Sequence, residues 1–131
     1  MKILDYQKYF TRWKNWETFE DPFDGRNGVY AFRLKSPFGR LRGVSSVLYI
    51  GKCDQNPETN RRPGLWHRLQ NYRQNNPGSS KRLKEIEREF AGRSNLEYSY
   101  VICENPSEIE KALLQDYYMR HSELPPMNRI R

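Results

Sequence analysis

Three short runs limit what this chain can become. Residues 28–34, 47–52 and 96–103 concentrate Val, Ile, Leu, Tyr and Phe between glycine-, proline- and asparagine-bearing stretches. Runs of that length and composition read as strands. The segments around them carry helical spacing. Leu65, Leu69 and Tyr72 share one helical face, and Leu83, Ile86, Glu87 and Phe90 lie along one side of a second helix that Ser80 caps. Asn75 to Ser80 separates the two. Asn105 as cap, Pro106 at the first position and Glu108 at the third predict a last helix running to about His121. Tyr6, Tyr9, Phe10, Trp13 and Trp16 recur at i, i+3, i+4 and predict an N-terminal helix, ended by the turn residues 21–25. Ser36 to Gly39 reads as a turn and 40–46 as a basic connection, so the first two strands form an antiparallel pair. The expected architecture is α+β: a small three-stranded antiparallel sheet flanked by helices, with residues 1–26 as an N-terminal helical extension and 27–131 as the core of a single domain. A chain of 131 residues has no room for a second core.

Charge narrows the partners. The formal net charge is +7, and from Arg33 to Lys52 there are basic residues and no acidic ones. Arg61, Arg62, Arg68 and Arg73 continue the excess. Such stretches suit phosphates, and Arg33, Lys35, Arg40, Arg42, Arg61, Arg62 and Arg73 are the candidate nucleic-acid contacts. A merely soluble basic surface is the plainer alternative. No apolar run is long enough to span a bilayer, and no basic amphipathic helix points to a membrane surface. The two cysteines and two histidines lack zinc-ligand spacing. A reducing, cytoplasmic location with free thiols is expected.

Hydrolysing a phosphodiester requires an activated water, a cation at the phosphate and help for the leaving oxygen. Candidates exist for each. Tyr30 and Tyr49 stand on successive strands, where paired residues on one face converge. A phenol titrates near ~10 and becomes a base only where cations favour phenolate, a part open to Lys52, Arg68 and a metal. Arg68 offers a fork matched to phosphate oxygens, with His67 beside it. Glu110 can hold one Mg²⁺ through a carboxylate oxygen, and Asp116 on the same helix competes for that part. The asparagine of Leu124-Pro125-Pro126-Met127-Asn128 carries both donors and an acceptor. Taken singly, each has a plainer reading: a strand tyrosine packs in a core, an arginine forms a surface ion pair, and Glu110 closes a capping box with Ser107.

Taken in order, these motifs resemble the GIY-YIG nuclease family. The resemblance rests on Gly28-Val29-Tyr30, Leu48-Tyr49-Ile50-Gly51-Lys52, the Gly-x-x-x-Arg-Leu-x-x-Tyr pattern from Gly64 to Tyr72, the acidic helix at Glu110, and Asn128; it covers about residues 27–130. It implies a Mg²⁺- or Mn²⁺-dependent endonuclease acting on DNA. Tyr30, Tyr49, Arg68 and Glu110 are then catalytic, and Lys52, His67 and Asn128 supporting. One tyrosine orients or deprotonates water, with Tyr49 the narrow choice. Two departures stand out. The stretch between Tyr30 and Tyr49 is longer than is usual, a basic extended hairpin or loop, and Glu110 lies farther from Asn128 than Asp116 does, which requires a longer helix end. The rival readings are a nucleic-acid-binding module without catalysis and an interaction domain that shares the fold alone. So short a chain is compatible with a homodimer or a larger complex, and its sequence does not name the DNA target.

Overall fold

A computed structural model of the chain describes residues 4–16, 27–53 and 95–128. The helices expected around 65–72 and 81–90 lie outside the described residues.

The long hairpin is the frame. β2 (Gly28–Gly39) and β3 (Val44–Cys53) pair antiparallel, and β2 pairs on its other side with β4 (Leu96–Ile102). The hairpin turns at 40–43, closed by the Arg40 N–H donating to the Gly43 carbonyl at 3.0 Å. Gly43 has φ +73°, a left-handed conformation that a side chain strongly disfavours. The turn thus lies beyond Ser36 to Gly39, which the sequence predicted as turn and which instead ends β2. Pro37 is accommodated because the ladder is irregular there: the pairing Arg33–Val47 is followed directly by Phe38–Ser45, so no regular ladder bond is demanded of it.

The sheet has four strands in the order β1-β4-β2-β3, not three. The extra one is the two-residue β1 (Lys14–Asn15), paired antiparallel with β4. It arises because the N-terminal segment does not continue as a helix. α1 spans only Tyr6–Tyr9, started by Asp5, whose carboxylate accepts from the Gln7 N–H at 2.9 Å, and the backbone is already extended at Phe10. Helical periodicity loses to burial on two sides of the sheet. Tyr6 and Phe10 enter one core and Trp16 the other, which one straight helix cannot achieve.

Those two cores fill the two faces. One holds Trp16, Tyr30, Phe32, Leu48, Leu96 and Tyr98. The other holds Val29, Ala31, Val47 and Ile50 against Tyr6, Phe10 and the last helix, α2 (Pro106–His121), through Leu113 and Tyr117. The faces are called here the tyrosine face and the helix face. α2 starts with Pro106 after Asn105, as expected, although the Asn105 side chain makes no cap bond and instead donates to Glu108 at 3.3 Å. It ends at Ser122 in a left-handed conformation, and a 3-10 turn at Pro126–Asn128 follows. Among the described residues no helix is long and apolar enough to cross a membrane.

Candidate active site

Tyr30 lies directly opposite Gly51 in the ladder, and Phe32 opposite Tyr49. The two tyrosines therefore share a face as diagonal neighbours, with ring centroids 6.0 Å apart. Gly51 makes this arrangement fit. A Cβ there would come within 2.7 Å of Tyr30 Cζ and Oη and of Tyr49 Cε2. The rings meet over a gap that only glycine leaves. Their environments differ: Tyr30 is 1 % exposed within the aromatic core, while Tyr49 is half-buried at its margin. Tyr49 is the phenol nearer to solutes.

Lys52 does not join them. It pairs with Val29, so strand alternation sends its side chain to the helix face, where Nζ donates to Ser107 Oγ at 2.7 Å. The expectation that Lys52 would stand beside the phenols is corrected by three steps of alternation from Tyr49. Glu110 lies near this lysine on the first turns of α2. Burial pushes its carboxyl above the usual carboxylate range, and the Lys52 charge partly offsets that. The described part of the site thus has two halves on opposite faces of β3, the border strand of the sheet.

Asn128 occupies that border. Its Nδ2 donates to the Ile50 carbonyl at 2.8 Å, and its Oδ1 accepts from the Ile50 N–H at 2.9 Å. The side-chain amide replaces a neighbouring strand for one residue and fixes the backbone between Tyr49 and Gly51. The turn Pro125–Asn128, closed by the Asn128 N–H to the Pro125 carbonyl at 3.0 Å, presents it.

The two acids on α2 have different surroundings. Asp116 is buried and accepts from the Tyr6 N–H at 2.9 Å and from Arg120 Nε at 2.9 and 3.1 Å. It ties the N-terminal segment to the helix. Glu110 is the acid whose desolvated carboxylate would gain from a cation. Among the described residues no three His, Cys, Asp or Glu side chains form a metal cage. The donor set fits an ion held by one carboxylate and retaining most of its waters, which is the habit of Mg²⁺.

The basic hairpin divides as well. Arg33 donates to Glu97 at 2.7 Å and lies over the Trp13 ring. Arg40 donates to the Leu124 carbonyl at 2.6 Å and pairs with Glu123 at 3.2 Å, its side chain 11 % exposed. Both were expected to meet phosphates; both are spent on the protein. Lys35 and Arg42 are exposed. The hairpin tip is fastened to the end of α2: Arg42 N–H donates to the His121 carbonyl at 3.1 Å, and Leu41 N–H to Glu123 at 2.6 Å. Arg61, Arg62, His67, Arg68 and Arg73 lie outside the described residues.

Sequence reading missed a buried polar chain. His121 Nδ1 is 2.9 Å from the Arg42 carbonyl, and its Nε2 is 2.6 Å from the Tyr6 hydroxyl, which is 3.0 Å from Ser45 Oγ. A carbonyl only accepts, so Nδ1 carries a proton. Burial pushes the Tyr6 phenol up, opposed mainly by its bond to Ser45. Partners 39, 79 and 115 residues apart leave no local signal. Tyr98 and Tyr100, stacked at 6.5 Å on the tyrosine face, were also missed, although their i, i+2 spacing in a strand was readable.

Compared with protein-family models, curated proteins and solved structures, the chain matches none.

Proposed function

We propose that this chain is a divalent-metal-dependent endonuclease that hydrolyses DNA phosphodiester bonds, of the GIY-YIG type its motifs resemble. The observation that carries the reading is the meeting of Tyr30 and Tyr49 over Gly51, because it gives three motif residues one geometric purpose. In this reading Tyr49 orients the attacking water and, with Arg68 as the cation that favours its phenolate, takes the water's proton. Tyr30, sealed in the core, holds the Tyr49 ring in place. Asn128 fixes the strand that carries them. Glu110 is the residue that would hold Mg²⁺ or Mn²⁺. The ion, when bound, supplies positive charge to the phosphoryl and leaving oxygens. Lys52 is held by Ser107 close to that carboxylate and adds a fixed cation. Arg68 forks the phosphate, as the motif implies.

One observation favours the alternative, a nucleic-acid-binding module without catalysis: Tyr49 and Glu110 belong to opposite faces of the sheet. A cleavage assay separates the two readings. Supercoiled, linear, branched and single-stranded DNA should be cut with Mg²⁺ and left intact with excess chelator, and Glu110→Gln should bind DNA without cutting it. DNA binding with no cleavage under either metal favours the module.

A further inference from the structure

Arg33 is a poor phosphate ligand and a good platform. Its Cζ lies 4.3 Å from the centroid of the Trp13 ring, which supports one side of the guanidinium. Glu97 holds its edge through Nε at 2.7 Å and neutralises its charge. Trp13 is fixed in turn: its Nε1 donates to the Phe10 carbonyl at 3.2 Å, and the Phe10 ring packs 5.9 Å away. The Arg33 side chain remains 32 % exposed. It borders a cavity of about 200 Å³ on the helix face, lined also by Gln7, Trp13, Ser45, Ser46 and Val47.

We propose that this cavity accepts one unpaired nucleobase of a DNA strand, stacked on the Arg33 plane with Gln7 and Ser46 at its polar edge. A planar guanidinium stacks on a flat heteroaromatic ring, and an already neutralised one does so without being drawn to a phosphate. The volume is below the ~300–1,000 Å³ of pockets that hold drug-sized ligands, a size suited to a single base. Charge around it suits the attached backbone. Lys8 follows Gln7, Arg12 and Lys14 flank Trp13, and Lys35 is two residues past Arg33; all four are exposed. Ser46 and Lys52 are six residues apart on β3, on the order of 20 Å at ~3.4 Å per residue, so the base is a flanking one and not that of the scissile nucleotide. The inference rests on the nucleic-acid part of the reading above and not on cleavage.

The test uses the full chain in chelator, where no cutting occurs. Affinity is measured by fluorescence anisotropy for a short single-stranded oligothymidylate and for an abasic strand of the same length. The base-bearing strand should bind about ten-fold more tightly or better, the scale of one base–side-chain stack. Arg33→Lys keeps the charge and loses the plane, and should erase that preference while leaving affinity for the abasic strand unchanged. Gln7→Ala, at an exposed position that does not threaten the fold, should reduce the preference alone. Equal binding of the two strands by the wild type, or a preference that survives Arg33→Lys, overturns the assignment. So does free thymidine that competes as well as the strand, since the occupant would then be a nucleoside. Equal binding together with Mg²⁺-dependent cleavage sinks this inference alone; a base preference with no cleavage sinks the nuclease reading alone.

Discussion

On the tyrosine face, side chains meet ring against ring: Trp16 on Phe32 at 4.9 Å, Phe32 on Tyr30 at 6.1 Å, Tyr30 on Tyr49 at 6.0 Å. The helix face also packs rings, Tyr6 against Tyr117 at 4.8 Å, but adds polar contacts between distant segments: Tyr6 to His121, Asp116 to the Tyr6 backbone, Lys52 to Ser107. The first face depends on shape and tolerates no added atom at Gly51. The second depends also on charge and direction, and so responds to pH and ions. A chemistry that needs a phenol from one and a carboxylate from the other must be organised at the border they share, and Asn128 clamps that border.

The comparison breaks most visibly at Trp16, which is fully buried and comes from the N-terminal segment before β2. Trp16→Ala should destabilise by about 3–5 kcal/mol in urea unfolding, as large aromatic truncations do, with Trp16→Phe recovering most of it. A loss below ~1 kcal/mol would make the N-terminal segment peripheral to that face. Next is the border. Asn128→Ala leaves the Ile50 N–H and carbonyl without their partner, a loss of about 1–3 kcal/mol. Hydrogen exchange at the Ile50 amide should speed up; unchanged protection would show that the clamp does not hold the strand.

The hairpin offers a smaller contrast between two neighbouring arginines. Arg40→Ala should lower the melting temperature, since its side chain is buried against Glu123 and the Leu124 carbonyl. Arg42→Ala should leave melting alone and reduce the salt dependence of DNA binding, by a log–log slope of roughly 0.9 for one lost phosphate contact. The reverse pattern would show that the bonded arginine is the one that reads DNA.

The smallest shift is expected at Glu110. Its folded-state pKa is raised, so the folded protein holds that proton more tightly than the unfolded chain. Stability is then greatest below the unfolded value and falls as pH rises through the folded one. Glu110→Gln should flatten that fall and melt slightly higher at neutral pH. Mg²⁺ should raise the melting temperature of the wild type and not of the variant, because only an ion-binding native state gains by mass action. Equal Mg²⁺ stabilisation of both proteins would place the ion elsewhere.

Much of the fold is legible in the sequence. The three strand runs, the antiparallel pairing of the first two, the α2 start at Pro106 and its end at His121 follow from composition and capping residues; the reach of the hairpin to a turn at 40–43 does not, because Pro37 and Gly39 read as turn residues. The opposite placement of Lys52 was also readable, since positions 49 and 52 differ by an odd number, but motif proximity outweighed strand parity. β1 was not legible: two residues carry no periodicity, and Lys14 and Asn15 become a strand only because β4 is beside them. Asp116 resembled a metal ligand because its partner, the Tyr6 backbone, is 110 residues away. Arg33 and Arg40 resembled phosphate contacts because the acids that engage them, Glu97 and Glu123, lie on other elements.

The central claim is that Tyr49 acts on the substrate and Tyr30 supports it. The most direct measurement is the single-turnover cleavage rate of supercoiled DNA, with Mg²⁺ and DNA saturating, for Tyr49→Phe and Tyr30→Phe. Tyr49→Phe should retain DNA affinity and lose about 10²-fold or more in rate, the contribution typical of a proton-transferring side chain. Tyr30→Phe keeps the ring that packs in the core and should stay within about ten-fold of wild type, a loss below ~1.4 kcal/mol. A fast Tyr49→Phe enzyme, or a Tyr30→Phe protein as slow as Tyr49→Phe is expected to be, would contradict the account.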